Sequence, residues 1–320
     1  MIRPLKNGLL AFVRFFDTSA GHVDKRTHIG PNKIEWLRWF PFVLLHGMCL
    51  GVIWVGTSPV AVAVCLAMYV VRMFAITGFY HRYFSHRTFK APRAVQFLMA
   101  VLGNSAAQRG PLWWASHHRH HHKYSDEVED AHSPHQHGFM WSHIGWITAK
   151  KNFATDFESV PDLAKFPELV FLDRFDVLVP VLTGFAMFFL GVLLNHLWPG
   201  LETSGMQMLI WGFFVSTILL FHGTCTINSL SHLIGRRRYQ TSDDSRNSWI
   251  LAIITLGEGW HNNHHYYQSS TRNGFYWYEY DVTFYMLTVM SWLGLVRDLK
   301  PVPIAVRDRR PEATVPEEAA

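Results

Sequence analysis

Long uncharged runs alternate along this chain with polar segments in which histidine is crowded. From Phe40 to Val71 there is no Asp, Glu, Lys or Arg, and apolar residues resume after Arg72 as far as Tyr80. At about 1.5 Å per residue this run is far too long for one crossing of a hydrocarbon core of roughly 30 Å. It predicts two helices. The breaker cluster Gly56-Thr57-Ser58-Pro59 supplies the turn, which places spans over Pro41–Gly56 and Val60–Tyr80. A second uncharged pair, Val177–Leu197 and Met206–Ile227, is joined through Trp198-Pro199-Gly200. Two shorter apolar stretches, Ala94–Ala107 and Thr283–Val296, cannot cross and predict helices at the interface or in a cap. The expected fold is all-α and integral to a membrane, with four transmembrane helices in two hairpins and a helical cap. The expected organisation is an N-terminal segment 1–39, a membrane domain with its cap over 40–306, and a disordered tail over 307–320, where Pro and Glu are frequent.

Composition narrows the picture further. With 49% hydrophobic and 17% charged residues, the chain is neither disordered nor a nucleic-acid coat. The net charge of +5 comes from Lys and Arg outside the apolar runs, which fits a membrane surface rather than a nucleic-acid groove. Seven Lys or Arg precede residue 40 and none falls in the turns 56–59 and 198–205, so the positive-inside tendency puts the N-terminus, segment 81–175 and the C-terminus in the cytoplasm. Arg3, Lys6 and Arg14 interrupt the start of the chain, so no cleavable leader is expected and the first span starts insertion. Cys49, Cys65 and Cys225 lie inside apolar runs, without the spacing of a disulfide framework or a thiolate site.

The chemistry lies in the 20 histidines. His118, His121 and His122 repeat the spacing of His261, His264 and His265. On a helix, positions i+3 and i+4 lie within about 60° of position i, so each trio forms one imidazole face. His117 and His120 point elsewhere and are expected not to bind metal. His81 and His86 follow the second span; Asn228 and His232 follow the fourth and share a helix face. Five residues apart, His81 and His86 diverge by about 140° on an ideal α-helix, so one is expected past the helix end, where the chain turns back. The topology gathers all four groups at one membrane face. Nine imidazoles exceed what one metal can use, which implies a di-metal site of a late first-row metal, with iron favoured by the chemistry below. Asp126, Glu127, Glu129, Asp130 and Glu258 are candidate partners for the outer imidazole nitrogens, with helix or turn caps an equally good account of each. His46, His196 and His222 are expected to hydrogen-bond neighbouring helices, and His132, His135, His137 and His143 to tie the turns of a loop. Arg72 is expected to have a structural role, snorkelling or meeting a buried partner.

These residues resemble the membrane fatty acid desaturases of the stearoyl-CoA desaturase type. The resemblance spans roughly residues 60–280. It rests on five blocks in order: His81-Arg-Tyr-Phe-Ser-His86; His118-Arg-His-His-His122-Lys-Tyr-Ser125; Gly138-Phe with Ser142-His-Ile-Gly-Trp146; Asn228-Ser-Leu-Ser-His232; and Gly257-Glu-Gly-Trp-His-Asn-Asn-His-His265. It implies two irons held on the cytoplasmic side by His81, His86, His118, His121, His122, His232, His261, His264 and His265, with Asn228 reaching one metal through water. It further implies dioxygen as co-substrate and a cis double bond, at Δ9, placed in a saturated acyl chain carried by CoA. Ser116 stands where animal members have an Arg associated with the CoA head group, which leaves the carrier open between CoA, acyl carrier protein and a glycerolipid. The run Ser269–Asp281 looks similar to bacterial members, which points to a multi-pass protein of a bacterial inner membrane. The 55 residues after His265 cannot hold a fused cytochrome domain, so an external donor like cytochrome b5, ferredoxin or rubredoxin is expected, with its reductase.

Abstraction of hydrogen from an unactivated methylene needs activated dioxygen, which favours iron over zinc. The second and fourth spans are expected to line the acyl channel. Trp113 and Trp114 either wall its mouth or anchor the interface. Tyr69, about three turns before His81, either caps the channel or packs between helices; in the resembled family an equivalent place holds a smaller residue in enzymes that accept longer chains. A hydroxylase or decarboxylase with the same ligands is the alternative enzyme. A metal transporter is the non-enzyme alternative, disfavoured because transport sites lie near the bilayer midplane.

Overall fold

A computed structural model describes residues 13–14, 16–20 and 30–309. Most of the expected N-terminal segment, and the expected disordered tail from residue 310 onward, lie outside the described residues. Every named element among the described residues is helical, and extended pairing is limited to isolated bridges such as Ile34 with Ala149 and Lys90 with Arg297.

Helix α1 (Trp36–Cys49) stops at Leu50 and Gly51 before a last turn over Val52–Val55. Gly56, at φ +64, then turns the chain, and Ser58 caps α2 by accepting from the Ala61 N–H (3.2 Å), with Pro59 in the first turn. Helix α2 covers Pro59–Ser85, first as α-helix to Phe74 and then as π-helix over Ala75–Ser85. Next come α3 (Arg93–Asn104), α4 (Pro111–Lys123), α5 (Pro167–Arg174) and α6 (Leu178–Leu197). Helix α7 (Gly205–His232) carries its own π-helical stretch, Leu209–Val215. The chain closes with α8 (Trp249–Ile254), α9 (His261–Tyr266) and α10 (Val282–Trp292).

Helices α2, α6 and α7 are long and apolar enough to cross a membrane. The expected span Pro41–Gly56 is apolar too, but its helix over Trp39–Val55 is shorter and interrupted. The break lies where α1 presses on α7: a Cβ on Gly51 would stand 2.7 Å from Ile210 Cδ1. The stretches expected to be too short to cross are the helices α3 and α10.

Two polar devices hold the spans together. Arg72 is buried; its Nε donates to Met68 O (3.0 Å), Nη1 to Ser105 O (3.2 Å) and Thr217 Oγ1 (2.7 Å), and Nη2 to Ser216 Oγ (2.5 Å). Its donors are met by neutral oxygens of α7, of the turn after α3 and of its own helix, which is the structural role expected of it. The second device ties α1 to α7 and to the short helical turn Trp141–Gly145. His46 Nδ1 donates to Phe42 O (2.7 Å), its Nε2 lies 2.9 Å from His222 Nε2, and His222 Nδ1 lies 3.0 Å from His143 Nε2. His46 and His222 do bond neighbouring helices, and His143, assigned to a loop, joins the same chain. Met73, Phe79, Tyr80 and Phe84 of α2 pack with Leu112 of α4, Leu220 of α7, and Leu163 and Leu169 into the main core.

Candidate metal centre

The nine imidazoles singled out by spacing gather into two groups. His81, His86, His118, His122 and His264 form one; His121, His232, His261 and His265 form the other; in each, one ring nitrogen per residue lies within 4.8 Å of all the rest. Both trios divide in the same way. Positions i and i+4 (His118 with His122, His261 with His265) stay together, while the i+3 residue (His121, His264) crosses to the other group. The i+3 and i+4 directions diverge by about 100° on a helix, so a single turn of α4 or α9 serves two adjoining centres. His122 and His265 bring the groups into contact, with ring centroids 4.4 Å apart.

His81 and His86 meet for a reason the α-helical arithmetic lacks. The end of α2 is π-helical, and the His86 N–H reaches His81 O, five residues back (3.3 Å). Bonding of the i to i+5 kind stacks residues five apart, so both rings face one point, with centroids 4.9 Å apart. His86 does lie one residue past the helix end, as its C-cap, but in helical conformation, so the π-helical register rather than a chain reversal brings the rings together.

In the segment before α9, Gly257 sits at φ +123, and a Cβ there would strike Asp281. Between the histidines of α9, Asn262 Oδ1 accepts from the N–H groups of Arg238 (2.8 Å) and Tyr239 (2.7 Å). Asn263 bonds Asn247 (2.7 Å) and Glu279 (2.9 Å). The asparagines pin one face of this short helix to Arg238, Tyr239, Asn247 and Glu279 and leave the imidazoles the other.

A buried carboxylate stands behind one imidazole in each of four places. Glu258 Oε2 lies 2.6 Å from His81 Nδ1, Asp130 Oδ2 2.9 Å from His121 Nδ1, Asp126 Oδ2 2.8 Å from His232 Nδ1 and Asp243 Oδ2 2.6 Å from His265 Nδ1. A carboxylate at Nδ1 keeps the proton there and turns the Nε2 lone pair inward. Burial, reinforced by the neighbouring imidazoles, pushes His118, His122, His261 and His264 well below the ordinary range, so these rings are neutral. Burial opposes ionisation of Asp126, Asp130 and Asp243 as well, but their paired imidazoles overcome it and hold the carboxyls below their usual range. Glu258 is lowered against burial by His81 and Arg82, and Arg82 Nη2 donates to it at 2.9 Å.

The inner nitrogens fit a cation. His264 Nε2 lies 2.9 Å from both His81 Nε2 and His122 Nε2, and His118 Nε2 lies 2.8 Å from His86 Nε2 and 3.0 Å from His122 Nε2. His81, its proton held at Nδ1 by Glu258, turns a bare Nε2 lone pair toward His264, and the buried Nδ1 atoms of His122 and His264 have no hydrogen-bond partner. Neutral nitrogens drawn this close are the donor arrangement that a metal ion uses. The clusters are able to bind metal, and the donor set, all nitrogen with carboxylates outside it, suits a late first-row ion.

His117 and His120 lie outside both groups: His117 Nδ1 donates to Trp113 O (2.9 Å), and His120 Nε2 to Glu129 O (2.9 Å). Of the five carboxylates considered from sequence, Asp126, Asp130 and Glu258 stand behind imidazoles, whereas Glu127 and Glu129 are exposed. Asp243 was not among them. It comes from the loop before α8, and no spacing links it to His265. His132 is more than a loop tie: it is buried beside His121, with ring centroids 4.4 Å apart.

Two cavities reach the groups. A small one, about 40 Å³, touches His81 and His118 of the first group, His261 of the second, and Asn228. A large one, about 1100 Å³, runs from Trp113, Trp114 and Asn228 along α7 to Leu209 and Met206. They share Trp114, His118, Thr224 and Asn228, and Thr224 Oγ1 accepts from Gln108 Nε2 (3.0 Å) at this junction. The expected walls differ from those found. Helix α2 contributes only to the small cavity, through residues such as Met73 and Ile76, and α1, α6 and α7 wall the membrane part of the large one. Tyr69 lines neither; its hydroxyl donates to Ile254 O (2.6 Å), one turn beyond Met73.

A family model described as fatty acid desaturase matches residues 57–288. The chain is 36% identical over 292 residues to an acyl-CoA 5-desaturase of Anemone leveillei, covering 87% of this chain and 86% of that one. It is 36% identical over 299 residues to an sn-1 stearoyl-lipid 9-desaturase of Synechocystis sp., covering 91% and 88%. It is 35% identical over 278 residues to a Delta-9 acyl-lipid desaturase of Arabidopsis thaliana, covering 84% of each. With the histidines of α2, α4, α7 and α9 drawn to one pair of buried centres inside the matched region, the chain belongs to the fatty acid desaturase family.

Proposed function

We propose that the protein is an oxygen-dependent fatty acyl desaturase that places a cis double bond at Δ9 of a saturated chain, with two irons held by the nine histidines and Asn228 contributing through water. The observation that carries this reading is the convergence of five and four imidazoles beside a cavity that opens into a long apolar one. In this reading the chain crosses the membrane four times, with α1 as the first span. The metal groups and both termini face the cytoplasm of a bacterial inner membrane.

Bound iron would supply the reductive activation of dioxygen that an unactivated methylene requires. The balance is –CH2–CH2– with O2, two electrons and two protons going to –CH=CH– and two waters. The electrons come from an external ferredoxin-, rubredoxin- or cytochrome b5-like donor and its reductase. The protein's own residues do the rest. Glu258, Asp126, Asp130 and Asp243 keep the imidazole protons at Nδ1 and the rings in place. Trp114, stacked on His118 with centroids 4.9 Å apart, and Thr224, held by Gln108, lie where the cavities meet and hold the chain there. Met73, Ile76 and Ile227 keep the reacting carbons away from water.

Expression in a bacterial host without a desaturase should yield Δ9 monounsaturated C16 and C18 chains by mass spectrometry, and purified protein should carry about two irons per chain. Hydroxylated or shortened products would move the reading to a hydroxylase or decarboxylase, and full activity of a zinc-only preparation would remove iron. Chain length tests Tyr69. Because Tyr69 lines neither cavity, Tyr69→Ala is expected to leave the product profile of an active enzyme unchanged, and a shift from C16 toward C18 or longer would put Tyr69 at the channel end.

A further inference from the structure

We infer that the acyl chain reaches the metal groups sideways from the bilayer, through a cleft between α1 and α6, and that the substrate is a chain still esterified in a membrane glycerolipid. The inference rests on the desaturase reading above and specifies its carrier. The membrane part of the large cavity lies on one face of α7, with Pro41–Leu45 of α1 on one side and Val181–Phe189 of α6 on the other. Helices α1 and α6 each pack against α7, and among the described residues they make no extended packing with each other. The side chains between them face both the cavity and the outside: Phe185 is 59% and Phe189 62% exposed while lining it, and Leu44, Val181 and Met206 are exposed as well. An enclosed tunnel would bury its wall. This one is open along its length, and because α6 and α7 are membrane-crossing helices by length and composition, the opening faces hydrocarbon.

The other end of the cavity argues the same way. A soluble acyl thioester must enter end-on from water and needs cations for its phosphates. Three cations line the cavity: Arg109 is committed to Asp176 (2.9 Å) and lies over the Phe153 ring (4.1 Å), Arg14 Nε donates to Ala20 O (2.7 Å), and Lys150 alone is too few for the several phosphates of a CoA. Position 116 offers no substitute, because Ser116 is buried and donates to Trp113 O (2.9 Å). A glycerolipid needs no such cradle, since its head group stays at the interface while one chain slides laterally past Leu44 and Val181 toward Trp114 and His118.

The test uses membranes of the expressing host supplied with NADPH and with ferredoxin, rubredoxin and cytochrome b5, each with its reductase. They are given phosphatidylglycerol labelled with deuterium in both its glycerol and its stearoyl chain, or labelled stearoyl-CoA. Unsaturated phosphatidylglycerol that retains both labels is the expected product. The cleft-filling pair L44W/V181W should lower that product at least tenfold with iron content unchanged, while L182W/L193W, at exposed positions of α6 outside the cavity lining, leaves it unchanged. Unsaturation confined to the CoA ester overturns the inference and leaves the desaturase reading standing. So does an unaltered lipid rate in L44W/V181W, the result expected if a second copy or another segment of this chain fills the cleft. Iron-loaded protein that desaturates neither substrate overturns the desaturase reading itself.

Discussion

Replacing His118 or His265 with alanine abolishes unsaturated product, a loss of more than a hundredfold, while His120→Ala retains most of the activity. His118 Nε2 faces His86 and His122 at 2.8 and 3.0 Å, and its loss cuts a group of five donors to four. Loss of His265 cuts the group of four to three and strands Asp243, whose carboxylate sits 2.6 Å from the His265 ring. Removal of a partner one step outside a metal site costs 10–100-fold in affinity or activity, so a direct donor should cost more. His120 is two residues from His118 but points away, with its Nε2 on Glu129 O. Product should be measured by gas chromatography and iron by elemental analysis, in the same membranes. Equal losses in His120→Ala and His121→Ala would defeat the helical-face argument.

The donor set was legible in the sequence because it depends on short-range periodicity. Each trio lies within a single turn of helix, so spacing alone gives the direction of its rings. For His81 and His86 the same arithmetic used the wrong period: nothing local in Ala75–Ser85 announces i to i+5 bonding, which emerges where the buried end of α2 packs into the main core. The carboxylates show the limit from the other side. Asp126 and Asp130 were legible as neighbours of the α4 histidines, but so were Glu127 and Glu129, which face solvent. Chain proximity could not separate them.

The cavity walls were not legible for a different reason. Helices apolar on all sides carry no marked face, so hydropathy cannot tell which side of α2, α6 or α7 meets protein, lipid or substrate. The chain around Phe40–Val71 announced a hairpin by its lack of charge and its breaker cluster. The interruption of α1 at Leu50 and Gly51 lies instead where Gly51 closely approaches Ile210, a contact between residues some 160 positions apart. Tyr69 illustrates the same gap: its distance from His81 along the helix was computable, but its direction, toward Ile254 rather than into the cavity, depends on α8.

Asp243→Asn lowers iron affinity and desaturation about tenfold to a hundredfold, whereas Glu127→Gln and Glu129→Gln leave both unchanged. Asp243 combines two tasks. Its Oδ2 lies 2.6 Å from His265 Nδ1, and its Oδ1 accepts from the Ser245 N–H at 3.0 Å, which fixes the carboxylate on its loop. Asparagine keeps the shape and an accepting oxygen but removes the charge that polarises the imidazole. The paired ring holds the Asp243 carboxyl ionised despite burial, while burial keeps His265 neutral, down to about 4, against the pull of that carboxylate. Without the charge, the lone pair His265 offers the cluster is weaker, and the amide NH2 can turn toward Nδ1 and draw the proton to the inner nitrogen, the state that cannot hold metal. Iron retained after graded chelation by desalting, together with the product ratio in membranes, reads this effect. Losses in Glu129→Gln that match Asp243→Asn would show that the acidic loop acts by its overall charge and that the pairing at His265 carries no separate weight.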